Sequence, residues 1–168
     1  IVVVSKATTY ANNAITDSMK LQNSSITSTN NFIDNLPGVS VHEGDAFGFD
    51  DWSTAITVRG FQTNLAEQQV GSTIDGLPNG NSNYGGGAKA NRYIDTANLQ
   101  TIEVSQGTAD ISSRSLEALG GTLNYVTSDP TLDQRVRLEY VSGQYDAQRF
   151  YARYDSGLIG SSTRFYVS

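Results

Sequence analysis

The chain of 168 residues has no cysteine, one histidine, one tryptophan, one methionine and three prolines. Without cysteine there is no disulfide framework and no thiolate-ligated metal site. Eleven basic against seventeen acidic residues leave a net charge of −6, and the basic residues do not cluster. The footprint that a nucleic-acid partner requires is therefore missing. No apolar run approaches the length of a membrane-spanning helix. Ile1 to Ser5 is apolar but short, and no basic leader precedes it, so it does not read as a signal peptide. An exported protein would already have shed its leader. No Gly-x-Ser-x-Gly elbow occurs and no nucleophile constellation is visible. No catalytic residue is assigned, and no enzyme, cofactor or resident metal is expected.

What is present is a change of character along the chain. Asn, Ser, Thr and Gly dominate up to about Gly121, whereas five of the nine tyrosines fall between Tyr140 and Tyr166. In the first part, Ile56-Thr57-Val58-Arg59 alternates with a period of two, as a half-buried strand does. Gly60 ends it and Phe61 can fold back as a lid. A second strand, Gln69 to Ile74, runs into Asp75-Gly76, a turn dipeptide because glycine accepts positive φ.

Around this pair the polar tract Lys6 to Thr29 buries little and reads as a mobile tether with at most one short helix. Thr29 to Leu36 reads as a helix capped by Ser28 or Thr29, with Phe32, Ile33 and Leu36 on one face. Pro37 stops it, Gly38 turns, and Val39 to Val41 is a strand. His42 to Trp52 is a loop with one histidine and the carboxylates Glu43, Asp45, Asp50 and Asp51. A hard cation is conceivable there, but the spacing fits no calcium loop. The simpler expectation is a solvated connector whose Phe47, Phe49 and Trp52 pack on the sheet. Asn79 to Asn91 is a Gly/Asn-rich loop that lacks the Gly-Lys-Ser/Thr ending of a phosphate cradle. Tyr93 to Gln100 reads as a strand end and one helical turn capped by Asp95 or Thr96. Thr101 to Ser105 is a central strand, Ile111 to Leu119 a short helix with Leu116 and Leu119 packing, and Thr122 to Thr127 a last strand.

From Gln134 the pattern changes. Val136, Leu138 and Tyr140 alternate with Arg135, Arg137 and Glu139. Phe150, Ala152 and Tyr154 alternate with Arg149, Tyr151, Arg153 and Asp155. Phe165 and Val167 alternate with Arg164 and Tyr166. Segments of about ten residues with this alternation suit membrane-barrel strands, although soluble half-buried strands share it.

Four short signatures occur in order: Leu36-Pro-Gly-Val39, Ile56-Thr-Val-Arg-Gly-Phe61 with Ile74-Asp-Gly-Leu77, Ile102-Glu-Val-Ser-Gln-Gly107, and Ala118-Leu-Gly-Gly-Thr-Leu-Asn124. Together they resemble the plug domain of TonB-dependent outer-membrane receptors, over roughly residues 1 to 130. The resemblance implies an α+β plug, a small mixed sheet with short helices carrying both Arg59 and Glu103. Antiparallel strands of a transmembrane β-barrel, here truncated, should follow it. The family's barrel has 22 strands, so three segments make a fragment. The implied division is 1–28 for the N-terminal segment and tether, 29–130 for the plug, and 131–168 for the first barrel strands.

The same resemblance implies partners and roles. Ile1, Val2, Val3, Val4 and Ser5 would be the TonB box, offered by strand addition to a TonB-like periplasmic energy-coupling protein driven by an inner-membrane proton channel. Gln62, Asn64, Asn79, Asn81, Asn83 and Tyr84 would contact an extracellular small-molecule ligand. Arg59, Gly60, Asp75, Gly76, Glu103, Gly107, Arg114, Gly120 and Gly121 would shape the plug or bond it to the barrel. Arg59 would pair with Glu103 or a barrel carboxylate, or reach an anionic ligand from below. Where the family commonly continues Arg-Gly-Pro, this chain has Gln106-Gly107-Thr108, so that arginine's role is in doubt here. The implied function is gated import across the outer membrane of a Gram-negative bacterium, in contact with its lipid. A ferric siderophore or other iron chelate leads as cargo. Oligosaccharides or a cobalamin-like cofactor are alternatives, and a soluble β-rich binding or adhesion module is the rival of another class.

Overall fold

In chain order, the elements are β1 (Asn13–Ala14), α1 (Asp17–Gln22), a 3-10 helix (Thr29–Asn35), β2 (Val39–His42), β3 (Ala55–Val58), β4 (Phe61–Thr63), β5 (Gly71–Ile74) and β6 (Leu77–Pro78). A 3-10 turn (Thr96–Asn98) then leads into β7 (Leu99–Gln106), β8 (Gly121–Thr127), β9 (Gln134–Ser142), β10 (Gln148–Ser156) and β11 (Tyr166–Val167). The computed structural model describes residues 13–24, 26–45, 47–50, 52–64, 66–79, 90, 93–107, 115 and 118–168.

Three sheets result. The largest is mixed, in the order β1-β7-β8-β5-β6, with β5 parallel to β8 and every other pair antiparallel. A second, β2-β3-β4, is antiparallel, and β11-β10-β9 form the third. The single sheet expected to hold both Arg59 and Glu103 is thus divided. Val58 pairs with Phe61, which leaves only Arg59 and Gly60 to reverse the chain. Their φ values of 50° and 90° are those of a type I′ hairpin turn, whose twist matches that of the flanking strands. Arg59 is therefore a turn residue and not a strand residue, and β4 leads back along β3. Gln69 joins the two sheets: its N–H donates to the Gln62 carbonyl at 2.8 Å and its carbonyl accepts from Gly120 N–H at 2.8 Å.

The second signature turn has the same geometry. Ile74 pairs with Leu77, and Asp75 and Gly76 have φ of 49° and 75°. The Asp75 carboxylate accepts from Thr127 N–H and from the Thr127 hydroxyl, each at 2.8 Å, while Gly76 N–H donates to Asn124 Oδ1 at 3.0 Å. The turn is thereby fastened to the end of β8. At the opposite end Gly121 has φ 136°, and a Cβ there would lie 2.1 Å from the Ser105 carbonyl oxygen. Glycine at this position permits the close approach of β7 and β8. Phe61 is partly exposed and lies over Gly120, where an added Cβ would meet its side chain.

The core forms where the periodicity places it. Ile56 and Val58 of β3, Ile102 and Val104 of β7, Leu123 and Tyr125 of β8, and Phe32 and Ile33 of the 3-10 helix are all buried. Ser28 caps that helix, accepting from Asn30 N–H, and Leu36 closes it before Gly38 turns at φ 76°. Buried Asn30 accepts the Tyr125 hydroxyl proton at 2.9 Å, and its amide and the Ser28 hydroxyl both donate to Glu43. Burial, and secondarily the charge of Glu43, push the Tyr125 phenol well above its ordinary value.

Three further expectations need correction. From Asn13 onward the supposed tether is packed. β1 pairs with β7, Ile15 is buried, and Lys20 of α1 donates to the Gln100 carbonyl at 2.6 Å. Ile15 and Ile26 stand isolated in a polar tract and carry no periodicity, so the packing has no local signal. The loop aromatics do not pack on the sheet: Phe49 is 85% and Trp52 68% exposed. Leu119 likewise does not pack, at 72% exposed. The rest of the expected helix over Ile111 to Leu119, apart from Ser115 and Ala118, lies outside the described residues.

The C-terminal strands invert the usual half-buried arrangement. Val136, Leu138 and Tyr140 of β9 are 63–65% exposed. On the other face Tyr151, Arg153 and Asp155 of β10 are buried. A water-soluble sheet packs its apolar side inward. Here the apolar side faces out and the charged side faces the turn before β7 and the linker after β8, as in a membrane-barrel wall.

Candidate functional site

The inward face of β9 and β10 meets the turn before β7 and the linker after β8. The Asp95 side chain caps the 3-10 turn through Ala97 N–H at 2.8 Å, which fixes Asp95 and Asn98 toward the wall. Arg149 forms an ion pair with Asp95 and lies 3.6 Å from Glu139. Arg137 pairs with Glu139 and reaches the Ala97 carbonyl at 3.5 Å. The Tyr151 hydroxyl donates to Asn98 Oδ1 at 2.6 Å.

Arg153 is the centre of the seam. Its guanidinium donates to both oxygens of Asp155, at 2.8 and 3.0 Å. It also donates to the Asp129 carbonyl at 3.0 Å, to Asn98 Oδ1 at 3.4 Å and to the Ser128 hydroxyl. The Tyr166 ring stacks on it with 3.8 Å to the ring centroid. Asp155 further accepts Thr131 N–H at 3.1 Å. Both members of the pair are buried, so each depends on the other for compensation of its charge. Five planar donors let one arginine hold a carboxylate on its own strand and the linker carbonyl together.

Around Arg153 the seam is polar and charged. It offers no nucleophile aligned with a base, and among the described residues no cluster of His, Cys, Asp or Glu is arranged to hold a metal. Its chemistry is that of a separable joint. Hydrogen bonds and ion pairs exchange with water at small net cost, whereas an apolar joint of equal area resists separation through the hydrophobic effect.

The residues singled out from sequence fall into groups. Arg59, Gly60, Asp75 and Gly76 form the two hairpin turns. Glu103 lies in β7 and accepts from the Asn124 amide at 2.9 Å; no ion pair joins it to Arg59. Gln106, which replaces the family's usual arginine, is buried and donates to the Pro37 carbonyl at 2.6 Å. Gly107 turns the chain at φ 99°. Gln62 and Asn64 flank the β4 end. Asn64 Oδ1 accepts from Ala66 and Glu67 N–H at 2.8 and 2.9 Å, and its amide donates to Gln62 at 3.2 Å. Asn79 N–H donates to the Ser72 carbonyl at 2.9 Å. Ile1, Val2, Val3, Val4, Ser5, Asn81, Asn83, Tyr84 and Arg114 lie outside the described residues. The residues that bond the two parts, Asp95, Asn98, Ser128, Arg149 and Arg153, were not among the candidates. For Arg149 and Arg153 the signal was the charged side of the alternating β10 pattern.

A small mixed-sheet body seated by a polar seam against antiparallel strands with an apolar outer face is the arrangement of a plug followed by the first strands of an unclosed barrel. The family model described as the TonB-dependent Receptor Plug Domain matches residues 5–122. The chain belongs to that family of outer-membrane receptors. No curated protein matches the chain. Similar solved structures include the ferric yersiniabactin uptake receptor FyuA from Yersinia pestis, at 20% identity and TM-score 0.56 over 89% of this chain and 22% of that one. The alcaligin outer-membrane receptor FauA from Bordetella pertussis is similar at 20% identity and TM-score 0.59, over 85% and 22%. The siderophore receptor PirA from Pseudomonas aeruginosa is similar at 17% identity and TM-score 0.55, over 92% and 26%. The chain spans about a fifth to a quarter of the length of these receptors.

Proposed function

We propose that the receptor containing this chain imports a ferric siderophore or another iron chelate across the outer membrane by energy-coupled rearrangement of its plug. The observation that carries the reading is the polar seam around Arg153, set behind an apolar outer face. It suits a plug that must stay seated at rest and yield when pulled. The soluble-module rival is disfavoured by the same feature, because it requires the apolar side of β9 and β10 to be covered. FyuA is named as a ferric yersiniabactin uptake receptor and PirA as a siderophore receptor, which favours an iron chelate over oligosaccharide or cobalamin.

In this reading Ile1, Val2, Val3, Val4 and Ser5 are captured by a TonB-like periplasmic protein, and the inner-membrane proton gradient supplies the force. Gln62, Asn64, Asn79, Asn81, Asn83 and Tyr84 meet the ligand from outside. A proline at Val3 removes a strand-pairing N–H. Val3→Pro in the full receptor is expected to abolish iron-chelate uptake by iron-starved cells while surface binding persists. Unimpaired uptake refutes the coupling role of the segment. Uptake induced by a sugar and indifferent to iron would move the cargo to oligosaccharides.

A further inference from the structure

The inward face of β9 and β10 carries more arginine than it can neutralise. In register from the β9–β10 turn, Val141 stands opposite Arg149, Glu139 opposite Tyr151, Arg137 opposite Arg153 and Arg135 opposite Asp155. Four arginines thus share one face with two carboxylates. Glu139 is flanked by Arg137, which pairs with it, and by Arg149 at 3.6 Å. Asp155 is held by Arg153 at 2.8 Å and has Arg135 facing it across the strands. Arg137 and Arg153 stand directly opposite each other, an arrangement that disfavours strand pairing. The chain as a whole is acidic, with a net charge of −6, so the excess is local to this face.

The seated plug answers the excess with one carboxylate and several neutral oxygens. Asp95 pairs with Arg149. The Ala97 carbonyl accepts from Arg137, and Asn98 Oδ1 and the Asp129 carbonyl accept from Arg153. Among these partners only Asp95 contributes a charge, and it belongs to the plug. A plug that yields takes Asp95, Ala97 and Asn98 with it. Glu139 does not replace Asp95 in full, because Arg137 already holds it. Arg149 then faces the vacated space without a carboxylate of its own. A cavity of about 220 Å³ already lies beside Arg135, Arg137 and Arg153. A planar guanidinium presents paired N–H donors that match oxyanions. Like charges along a cleft focus their field on an ion within it.

We propose that yielding of the plug turns this face into an anion track, so that the receptor passes chelates of net negative charge in preference to neutral ones. The proposal rests on the iron-chelate reading for what travels along the track. It gives the wall arginines a role beyond holding the plug.

The test places a thiol beside the track with Val141→Cys in the full-length receptor. Opposed residues of a strand pair have Cβ atoms about 5 Å apart, so the thiol reports the potential at Arg149. The 168 residues hold no cysteine, and any elsewhere in the receptor is replaced by serine. Two methanethiosulfonates are the probes, the anionic sulfonatoethyl and the cationic trimethylammonioethyl reagent. The quantity read is the ratio of their rates, anionic over cationic, which cancels any change in access common to both. Urea, which adds no ions, opens the seam. In urea the ratio is expected to be about tenfold lower in Arg149→Gln than in the parent, since one unit charge acts in opposite senses on the two reagents. Arg149→Lys keeps the charge and should keep the ratio. Asp95→Asn should raise the ratio without urea, because asparagine still caps the turn while the plug's acid is gone. A merely structural role of Arg149 changes both rates together and leaves the ratio alone. A ratio equal in the parent and Arg149→Gln, or one that falls as far in Arg149→Lys, overturns the anion track and leaves iron-chelate import standing. The expected ratios in a receptor that supports no iron-dependent uptake by cells overturn the chelate as cargo and leave the track.

Discussion

Removal of the Arg153 guanidinium should loosen the plug from the wall. Arg153→Ala deletes both bonds to Asp155, the bond to the Asp129 carbonyl at 3.0 Å and the contact with the Tyr166 ring. Asp155 is 2% exposed and keeps only Thr131 N–H among the bonds described above. Breaking a buried pair by removing one partner costs about 3–5 kcal/mol. A change of 1.4 kcal/mol is about tenfold in an equilibrium, so seam opening should become at least about a hundredfold more frequent. The Ser128 amide reports it directly, because its N–H donates to the Asn98 carbonyl at 2.7 Å inside the seam. Hydrogen exchange on the full receptor should show that amide, and those of Leu99 to Gln106 to a lesser degree, losing protection on this scale. The double variant Arg153→Leu with Asp155→Leu removes the uncompensated charge as well as the joint. It should regain stability in the wall yet keep the exposed Ser128 amide. Protection of Ser128 within twofold of the parent in Arg153→Ala would refute the reasoning.

Other consequences follow from the same geometry. Gly60→Ala introduces only left-handed backbone strain, since nothing lies within 4 Å of the added Cβ; it should cost about 1–2 kcal/mol in denaturant unfolding of the plug. Gly121→Ala meets the Ser105 carbonyl at 2.1 Å, so it should leave no protected amides along β7 and β8. The Asp45 carboxylate accepts Phe47 N–H at 2.7 Å and Asp50 N–H at 2.5 Å, and Asp50 in turn accepts Trp52 N–H at 3.2 Å and the Ser53 hydroxyl at 2.6 Å. Slight burial would raise the Asp45 carboxyl, but the surrounding N–H groups outweigh it and hold it below the usual carboxylate range. Its stabilisation of the loop is therefore complete above its unfolded value, about 3.9, and is lost as pH falls through the lower folded value. Exchange protection at the Phe47 and Asp50 amides, corrected for intrinsic rate, should stay level from about pH 7 to 5 and collapse only below about 4. Asp45→Ala should lack that protection at every pH.

Much of the body of the plug was legible from residue pattern alone. Alternation around Ile56 and Val58, Ile102 and Val104 announced buried strands, and Pro37 with Gly38 marked the end of the 3-10 helix. Asp75-Gly76 was legible as a turn because its dihedral demand is local. Arg59-Gly60 was misread as a strand end because arginine seldom adopts positive φ. Only the register of Val58 on Phe61 forces it there. The direction in which β9 and β10 face came from the resemblance to barrel strands and not from the alternation. Alternation gives two sides but does not say which one meets water, lipid or protein. The seam partners Asp95 and Asn98 come from a turn more than 50 residues before Arg149 and Tyr151, a pairing with no trace in local periodicity. The projecting aromatics were misjudged because large apolar side chains are usually core, whereas here Asp45 and Asp50 hold the loop by hydrogen bonds alone.

Coupling between the N-terminal segment and movement of cargo past the plug is the central element of the proposed import. The most direct measurement is accumulation of a radiolabelled ferric chelate by iron-starved cells carrying the full receptor, with residues 1–5 present or deleted and with or without a protonophore. Surface-bound iron should be unchanged in all four conditions, and accumulation should occur only with the segment present and the gradient intact. Accumulation at the parental rate after the deletion would contradict it.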